Sequence, residues 1–241
     1  RSIPQPNDRV QDPYSFRCVP QVHGAMVESL EHACDVVETE LNSTTDNPLI
    51  FEDAVLSGGN FHGQPIGAVM DYLAITTASM SAMSERRVNQ LLHPYQSGLP
   101  AFLARDPGLN SGLMIAQYTA ASLVNENRVL ATPASVHSIP VSADQEDHIS
   151  MATYAATKVH SVLENATHVC AIELMTAAQA VDLRSQMDER SVHPLARVPG
   201  DAPPVFEAYR LVRQVVPFIE RDCVLTPFIK GLATAIKNSG P

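Results

Sequence analysis

The sequence predicts a mainly α protein, a bundle of long helices with one small hairpin. Three observations lead there. Hydrophobic residues make up 45% of the 241 residues, yet aromatics are only 5% and tryptophan is absent. Alanine, leucine and valine carry the apolar content, which favours helices over a sheet sandwich. Apolar residues recur at helical spacing through several long segments, and strand-like spacing is confined to a short stretch near 49–57.

The chain opens on a polar segment, Gln11-Asp12-Pro13-Tyr14-Ser15-Phe16-Arg17. Pro13 locks its own φ and disfavours helix at Asp12, so Gln11 is expected on a loop. One helical turn puts Tyr14 and Arg17 on the same face. An arginine fork matches a carboxylate, and a phenol beside it can relay a proton. Taken alone, these residues read as a helix start with a surface ion pair.

Pro20 then starts a helix of about two dozen residues. Val22, Met26, Val27, Leu30, Ala33, Val37 and Leu41 form its apolar stripe, and Glu28, Glu31, Asp35 and Glu38 its polar face. Asn42–Pro48 stops it with turn chemistry. Leu49–Phe51 and Val55–Leu56 read as two short strands around Glu52-Asp53. The glycine-rich stretch Gly58–Gly63 lacks the GxGxxG spacing of a nucleotide cradle. Its glycines allow a sharp turn that aims Phe61.

Pro65 opens a helix to about Leu92 whose apolar positions nearly surround it, as in a bundle core. A proline- and glycine-punctuated connection follows to Gly108. Leu109 to Ala131 reads as helix, with Met114, Ile115, Tyr118, Ala121, Leu123 and Val124 facing the core. Thr132–Asp147 is a long polar loop, of a length usually functional in a compact domain. A helix of roughly 35 residues, ~50 Å long, is expected from about Asp147 to Leu183. Two shorter helices, near Val205–Ile219 and Pro227–Lys237, close the chain.

A net charge of -10 without a basic stripe argues against nucleic acid as a partner. No run of about 18 apolar residues is seen, so no membrane span is expected. The four cysteines form no CxxC pair and the nine histidines show no ligand spacing, so no metal is expected. The thiols read as buried and reduced, which points to the cytoplasm. The chain starts with Arg1 and runs at once into a rich polar motif, as a piece of a longer polypeptide would.

Several of these stretches closely resemble histidine ammonia-lyases. They are Val10–Ala25, Asn42–Ile50 (Asn-Ser-Thr-Thr-Asp-Asn-Pro-Leu-Ile), Ser57–Pro65 (Ser-Gly-Gly-Asn-Phe-His-Gly-Gln-Pro), Ser111–Ala121, Pro133–Val136 and Ser142–Met151 (Ser-Ala-Asp-Gln-Glu-Asp-His-Ile-Ser-Met). They come in that family's order across most of the chain. The wider family includes phenylalanine and tyrosine ammonia-lyases and aminomutases. His137 and Thr132 depart from the acidic residue and the histidine the family pattern would place there.

The resemblance covers the family's C-terminal half. It implies a helical bundle of the aspartase/fumarase-like type, a homotetramer, and active sites assembled from three subunits. In that family an Ala-Ser-Gly tripeptide cyclises to the electrophile methylidene-imidazolone. No Ala-Ser-Gly occurs in these 241 residues, so the N-terminal half is the expected partner, and the chain alone is expected to be inactive.

By motif, Arg17 looks like the clamp on the carboxylate of an amino acid substrate, with Asn47 as an assisting donor. Tyr14 resembles the phenol beside the electrophile, Gln11 an amide that orders the pocket, and Phe61 the aromatic near the prosthetic group. Gln145 is carried over as a substrate-binding neighbour of Glu146. Glu146 matches the carboxylate of histidine-type members, where phenylalanine-type members usually carry glutamine. A carboxylate there can hydrogen-bond an imidazole N–H, or act as a base if burial raises its pKa. Without the surrounding match, Glu146 would read as a cap on the long helix, Asn47 as a turn residue and Phe61 as core. His62, His137 and His148 are read as structural or solvent-facing. The leading expectation is conversion of histidine to urocanate. The alternatives are a relative acting on phenylalanine or tyrosine, and a helical assembly module with no activity of its own.

Overall fold

The computed structural model describes residues 11–187 and 203–239. Helix α1 (Tyr14–Arg17) is one turn, and α2 (Val19–Leu41) follows with Pro20 in its first turn. Strands β1 (Leu49–Ile50) and β2 (Val55–Leu56) pair antiparallel, Leu49 opposite Leu56 and Ile50 opposite Val55. Helix α3 (Gln64–Leu92) leads through the short α4 (Pro94–Ser97) and a 3-10 turn (Ala101–Leu103) to α5 (Met114–Leu130). The long α6 (Ala152–Met187), α7 (Pro203–Val215) and α8 (Thr226–Asn238) complete the chain.

Pairwise contacts set the directions. Asp71 meets Lys158 and Arg87 meets Glu173, so partners advance together and α3 and α6 run parallel. Two parallel helices need a long connection, and α5 supplies the return stroke between them: Gln117 bonds Asn89 and Asn127 bonds Ser81. Helix α2 packs antiparallel on α3 through the Ser29–Thr76 hydroxyl pair at 2.6 Å. Buried Asn127 sits where α3, α5 and α6 meet. Its amide donates to Ser81 Oγ (3.2 Å) and the Val162 carbonyl (3.3 Å), and its oxygen accepts from Asn165 (3.1 Å). That satisfies a buried side chain which would otherwise be costly.

The apolar core divides unevenly. The larger cluster lies at the C-terminal end of α3 and includes Val88, Leu92, Leu103, Leu113, Ile172, Met175, Val212 and Leu232. The smaller one, at the other end, is Leu73, Ala74, Ala78, Val159 and Val162. By length and composition α3 could cross a membrane. Half of that window is buried inside the bundle, and the helix carries buried Asp71, Glu85 and Arg87, as a core helix tolerates when each charge is paired.

Several expectations are corrected. The long helix begins at Ala152, not near Asp147. The 109–131 helix begins at Met114, and its buried face is Ala116, Ala120, Val124 and Asn127. Ile115 and Tyr118, expected in the core, are exposed. Small residues face inward because α5 lies close against both α3 and α6. Helix α7 ends at Val215, after which Val216 and Ile219 still enter the core from non-helical chain. Of the cysteines, Cys34 and Cys223 are exposed and all four are free.

Candidate active site

One group of site residues sits on α1. The guanidinium of Arg17 lies 4.3 Å from the centroid of the Tyr14 ring, so the two share a face as their spacing predicts. Arg17 Nε donates to the Asp12 carbonyl at 2.9 Å. Tyr14 is 68% exposed, and Gln11 is exposed beside it.

A helix this short cannot hold itself in place. Arg87 from α3 holds it, donating through Nη1 to the Ser15 carbonyl at 3.2 Å. Arg87 is in turn locked by a two-pronged pair with Glu173 of α6, one prong at 2.8 Å, and by Ser84 Oγ at 3.0 Å. Burial, with the neighbouring Arg87 charge, holds His23 below the ordinary imidazole pKa, while Glu173 opposes them. Burial likewise pushes the Cys170 thiol up.

The second group lies at the N-terminal end of α3. Asn47 Oδ1 accepts from the Gly58 N–H (2.9 Å) and Ser57 Oγ (3.2 Å), closing the base of the hairpin. Its amide nitrogen has no partner among the described residues, so Asn47 is both turn residue and available donor. Phe61 is exposed on the glycine-rich turn.

Glu146 and Gln145 are exposed on a loop of unusual backbone. Ser142, Ala143 and Asp144 all have left-handed φ, 52°, 53° and 63°, which costs roughly 1–2 kcal/mol per residue. The Val141 and Glu146 backbones close this turn by exchanging hydrogen bonds at 3.0 and 3.3 Å. Strain of this kind collects at functional sites. It also overturns the helix-cap reading: Glu146 sits in a bridged turn, well short of the helix start at Ala152.

A buried ion pair fixes the neighbouring loop to α3. Lys158 Nζ lies 2.5 Å from Asp71 Oδ1, with both side chains under 5% exposed. Asp71 Oδ2 accepts from the Ser135 N–H at 2.6 Å, and Lys158 also donates to the Thr132 carbonyl. Burial alone would raise the Asp71 carboxyl. Hydrogen bonds from Lys158 and Ser135, with the lysine charge, outweigh it and hold the pKa below the ordinary value.

The structure brings Tyr14 and Arg17 together, and places Asn47, Phe61, Gln145 and Glu146 at one end of the bundle. It does not bring the two groups together. Arg87 supports the first, and Gln64 begins the helix beside the second. Between them α3 rises roughly 34 Å. Sequence reasoning missed Arg87, Glu173, Asp71 and Lys158; the available signal was charge inside otherwise apolar helices. An open groove of about 590 Å³, lined by residues such as Ile115, Leu123, His168, Val224 and Ile229, contains none of the expected site residues. Among the described residues no group of three or more His, Cys, Asp or Glu is placed to hold a metal ion.

The family model for aromatic amino acid lyases matches residues 2–213. Histidine ammonia-lyase of Symbiobacterium thermophilum is 51% identical over 232 residues, covering 95% of this chain and 43% of the relative. That of Geobacillus thermodenitrificans is 50% identical over 232 residues, again 95% of this chain and 44% of the relative. Among solved structures, histidine ammonia-lyase from Trypanosoma cruzi superposes with a TM-score of 0.84 at 43% identity, over 94% of this chain and 43% of that one. Tyrosine aminomutase from Streptomyces globisporus gives 0.85 at 38% identity, over 99% and 44%. The chain thus spans less than half the length of the relatives it matches. With the model covering most of its length and its helices superposing on those of both enzymes, this chain belongs to the aromatic amino acid lyase family.

Proposed function

We propose that this chain is the C-terminal part of a histidine ammonia-lyase, which eliminates ammonia from L-histidine to give urocanate. The observation that carries this reading is Glu146. It is an exposed carboxylate on a strained turn, free of any helix-capping duty. Its environment suits a group kept for a ligand, and roughly half of all positions match named histidine ammonia-lyases.

The residues fit a methylidene-imidazolone supplied by an N-terminal half. The Tyr14 hydroxyl, the Arg17 terminal nitrogens and the Asn47 amide nitrogen have no hydrogen-bond partner among the described residues, and all three side chains are exposed. When bound, that group supplies the electrophile that activates the substrate amine. Arg17 clamps the substrate carboxylate with its two terminal nitrogens, and Asn47 donates beside it. The Tyr14 phenol relays a proton near the electrophile, with the Gln11 amide ordering the pocket. Phe61, exposed on its turn, would line the space beside the prosthetic group. Glu146 accepts from the imidazole N–H or takes the β-proton, and Gln145 lines the same turn.

The separation of the two groups along α3 supports a site assembled from more than one copy, in the homotetramer expected of the family. So does the apolar surface left on the outside of the helices, Val27 and Leu30 on α2 and Ile115 and Tyr118 on α5. A cytoplasmic setting belongs to the same reading. A relative acting on phenylalanine or tyrosine is the second reading, favoured by the tyrosine aminomutase superposition.

The test is Glu146→Gln in the complete enzyme. The amide keeps the size and loses the charge. Losing a charged hydrogen bond costs ~1.5–3 kcal/mol, so histidine turnover should fall roughly ten- to over a hundred-fold with the melting temperature unchanged. Unchanged turnover removes the reason for naming histidine. The chain alone should release no urocanate, and activity from it would overturn the division of the site.

A further inference from the structure

We infer that His62 is a positioning residue for the reaction: it clips the turn that presents Phe61 to the loop that presents Glu146, and so sets how those side chains stand relative to each other. The inference rests on the lyase reading of those two residues.

Both ring nitrogens of His62 are engaged. The Gln64 N–H donates to Nδ1 at 3.3 Å, and Nε2 lies 2.9 Å from the His148 carbonyl oxygen. A backbone N–H only donates and a carbonyl only accepts. The ring therefore carries its proton on Nε2 and presents a bare Nδ1. One bond ties the ring to the first residue of α3. The other crosses to a carbonyl two positions beyond Glu146. The His62 and His148 rings stack as well, with centroids 5.8 Å apart and planes 12° from parallel.

Gly63 gives an independent sign that these segments must approach closely. Its φ is an ordinary -76°, so no turn demands glycine there. A Cβ would instead stand 2.9 Å from Ser150 Oγ and 3.1 Å from Ala152 Cβ. The missing side chain lets the turn lie against the chain just past Glu146. On its far side the loop is held by Ser138 Oγ, which accepts from the Ile149 N–H at 2.9 Å. With the Val141–Glu146 bridge, hydrogen bonds hold the Glu146 segment at three points, and of these the His62 bond reaches Phe61's turn.

The test uses the complete enzyme. His62→Phe keeps a ring for stacking and loses both hydrogen bonds. His62→Asn is too short to reach the His148 carbonyl. His62→Gln keeps an N–H donor near the Nε2 position. Two quantities are read on each, amide hydrogen exchange at Glu146 and Ile149, and kcat/KM for histidine.

His62→Phe and His62→Asn should speed exchange at both amides and lower kcat/KM between about ten- and a hundred-fold, the scale of a ~1 Å misplacement. His62→Gln should keep slow exchange and most of the turnover. Gly63→Ala, which retains the imidazole but pushes the segments apart, should cause a smaller loss. The positioning role is overturned if His62→Phe leaves exchange unchanged, if exchange quickens while turnover holds, or if His62→Gln loses as much as His62→Asn. If the unsubstituted enzyme releases no urocanate, the lyase reading itself fails and the role with it; failure of the clip alone shows only in the variants.

Discussion

The two ends of the parallel α3–α6 pair hold their candidate site residues by different means. At the α1 end the support is a largely buried arginine–glutamate pair, its glutamate keeping some solvent access, over the larger apolar cluster. At the Glu146 end the apolar cluster is small, and a fully buried lysine–aspartate pair ties loop to helix. Helices that already share a deep core need polar contacts only to orient a short appendage. At the other end, where the loop has little core of its own, the buried charge pair anchors Thr132 and Ser135 to the helices. The first end should therefore tolerate loss of its ion pair better than the second.

Lys158→Met carries the largest expected effect. It leaves the Asp71 carboxylate buried and unpaired, which costs about 3–5 kcal/mol. Chemical denaturation should show that loss, and hydrogen exchange should place it around residues 132–150. Arg87→Met should cost less, about 2–3 kcal/mol, because Glu173 keeps some solvent access. Its exchange signature should appear at α1 instead. Equal losses for the two would break the comparison.

Matched core truncations sharpen it. Val88 and Val162 are both fully buried, one at each end. Val88→Ala should cost roughly 2 kcal/mol and Val162→Ala nearer 1, since a small cluster bordered by loops collapses into the space more readily. The reverse order in urea unfolding would show that the Glu146 end is the more tightly packed.

Acid separates the ends by pH. His23 has a lowered folded pKa, so the unfolded chain binds its proton first. Stability contributed there is whole above about 6.5 and falls as pH drops towards the lowered folded value. Asp71 also has a lowered folded pKa, but as an acid. Its contribution is whole above about 3.9 and is lost as pH falls through the folded value. On acidification the α1 end should loosen first, and exchange near Ser135 should stay slow until well below pH 4. The smallest effect belongs to the exposed Glu164–Lys237 pair between α6 and α8. Lys237→Ala should change stability by about 0.2–1 kcal/mol and less in high salt.

By itself the sequence determined the long helices, the existence of the hairpin, and the Tyr14–Arg17 pairing. All of these depend on neighbours close in the chain: a 3.6-residue period, a proline at a first turn, a side-chain spacing of three. It also carried, through motif order, the family and the identities of the candidate site residues. It did not determine which face of α5 is buried, because Ile115 and Tyr118 look like core until α3 and α6 come close enough to admit only Ala116 and Ala120. It did not show that Glu146 lies in a left-handed bridged turn rather than at a helix start, since nothing in Ser142-Ala143-Asp144 demands positive φ. Arg87 reaching Ser15, Lys158 reaching Asp71 and His62 reaching His148 span 72, 87 and 86 positions of sequence. Such pairings exist only once helices of fixed length have been laid side by side, and that same length keeps the two halves of the candidate site at opposite ends of one chain.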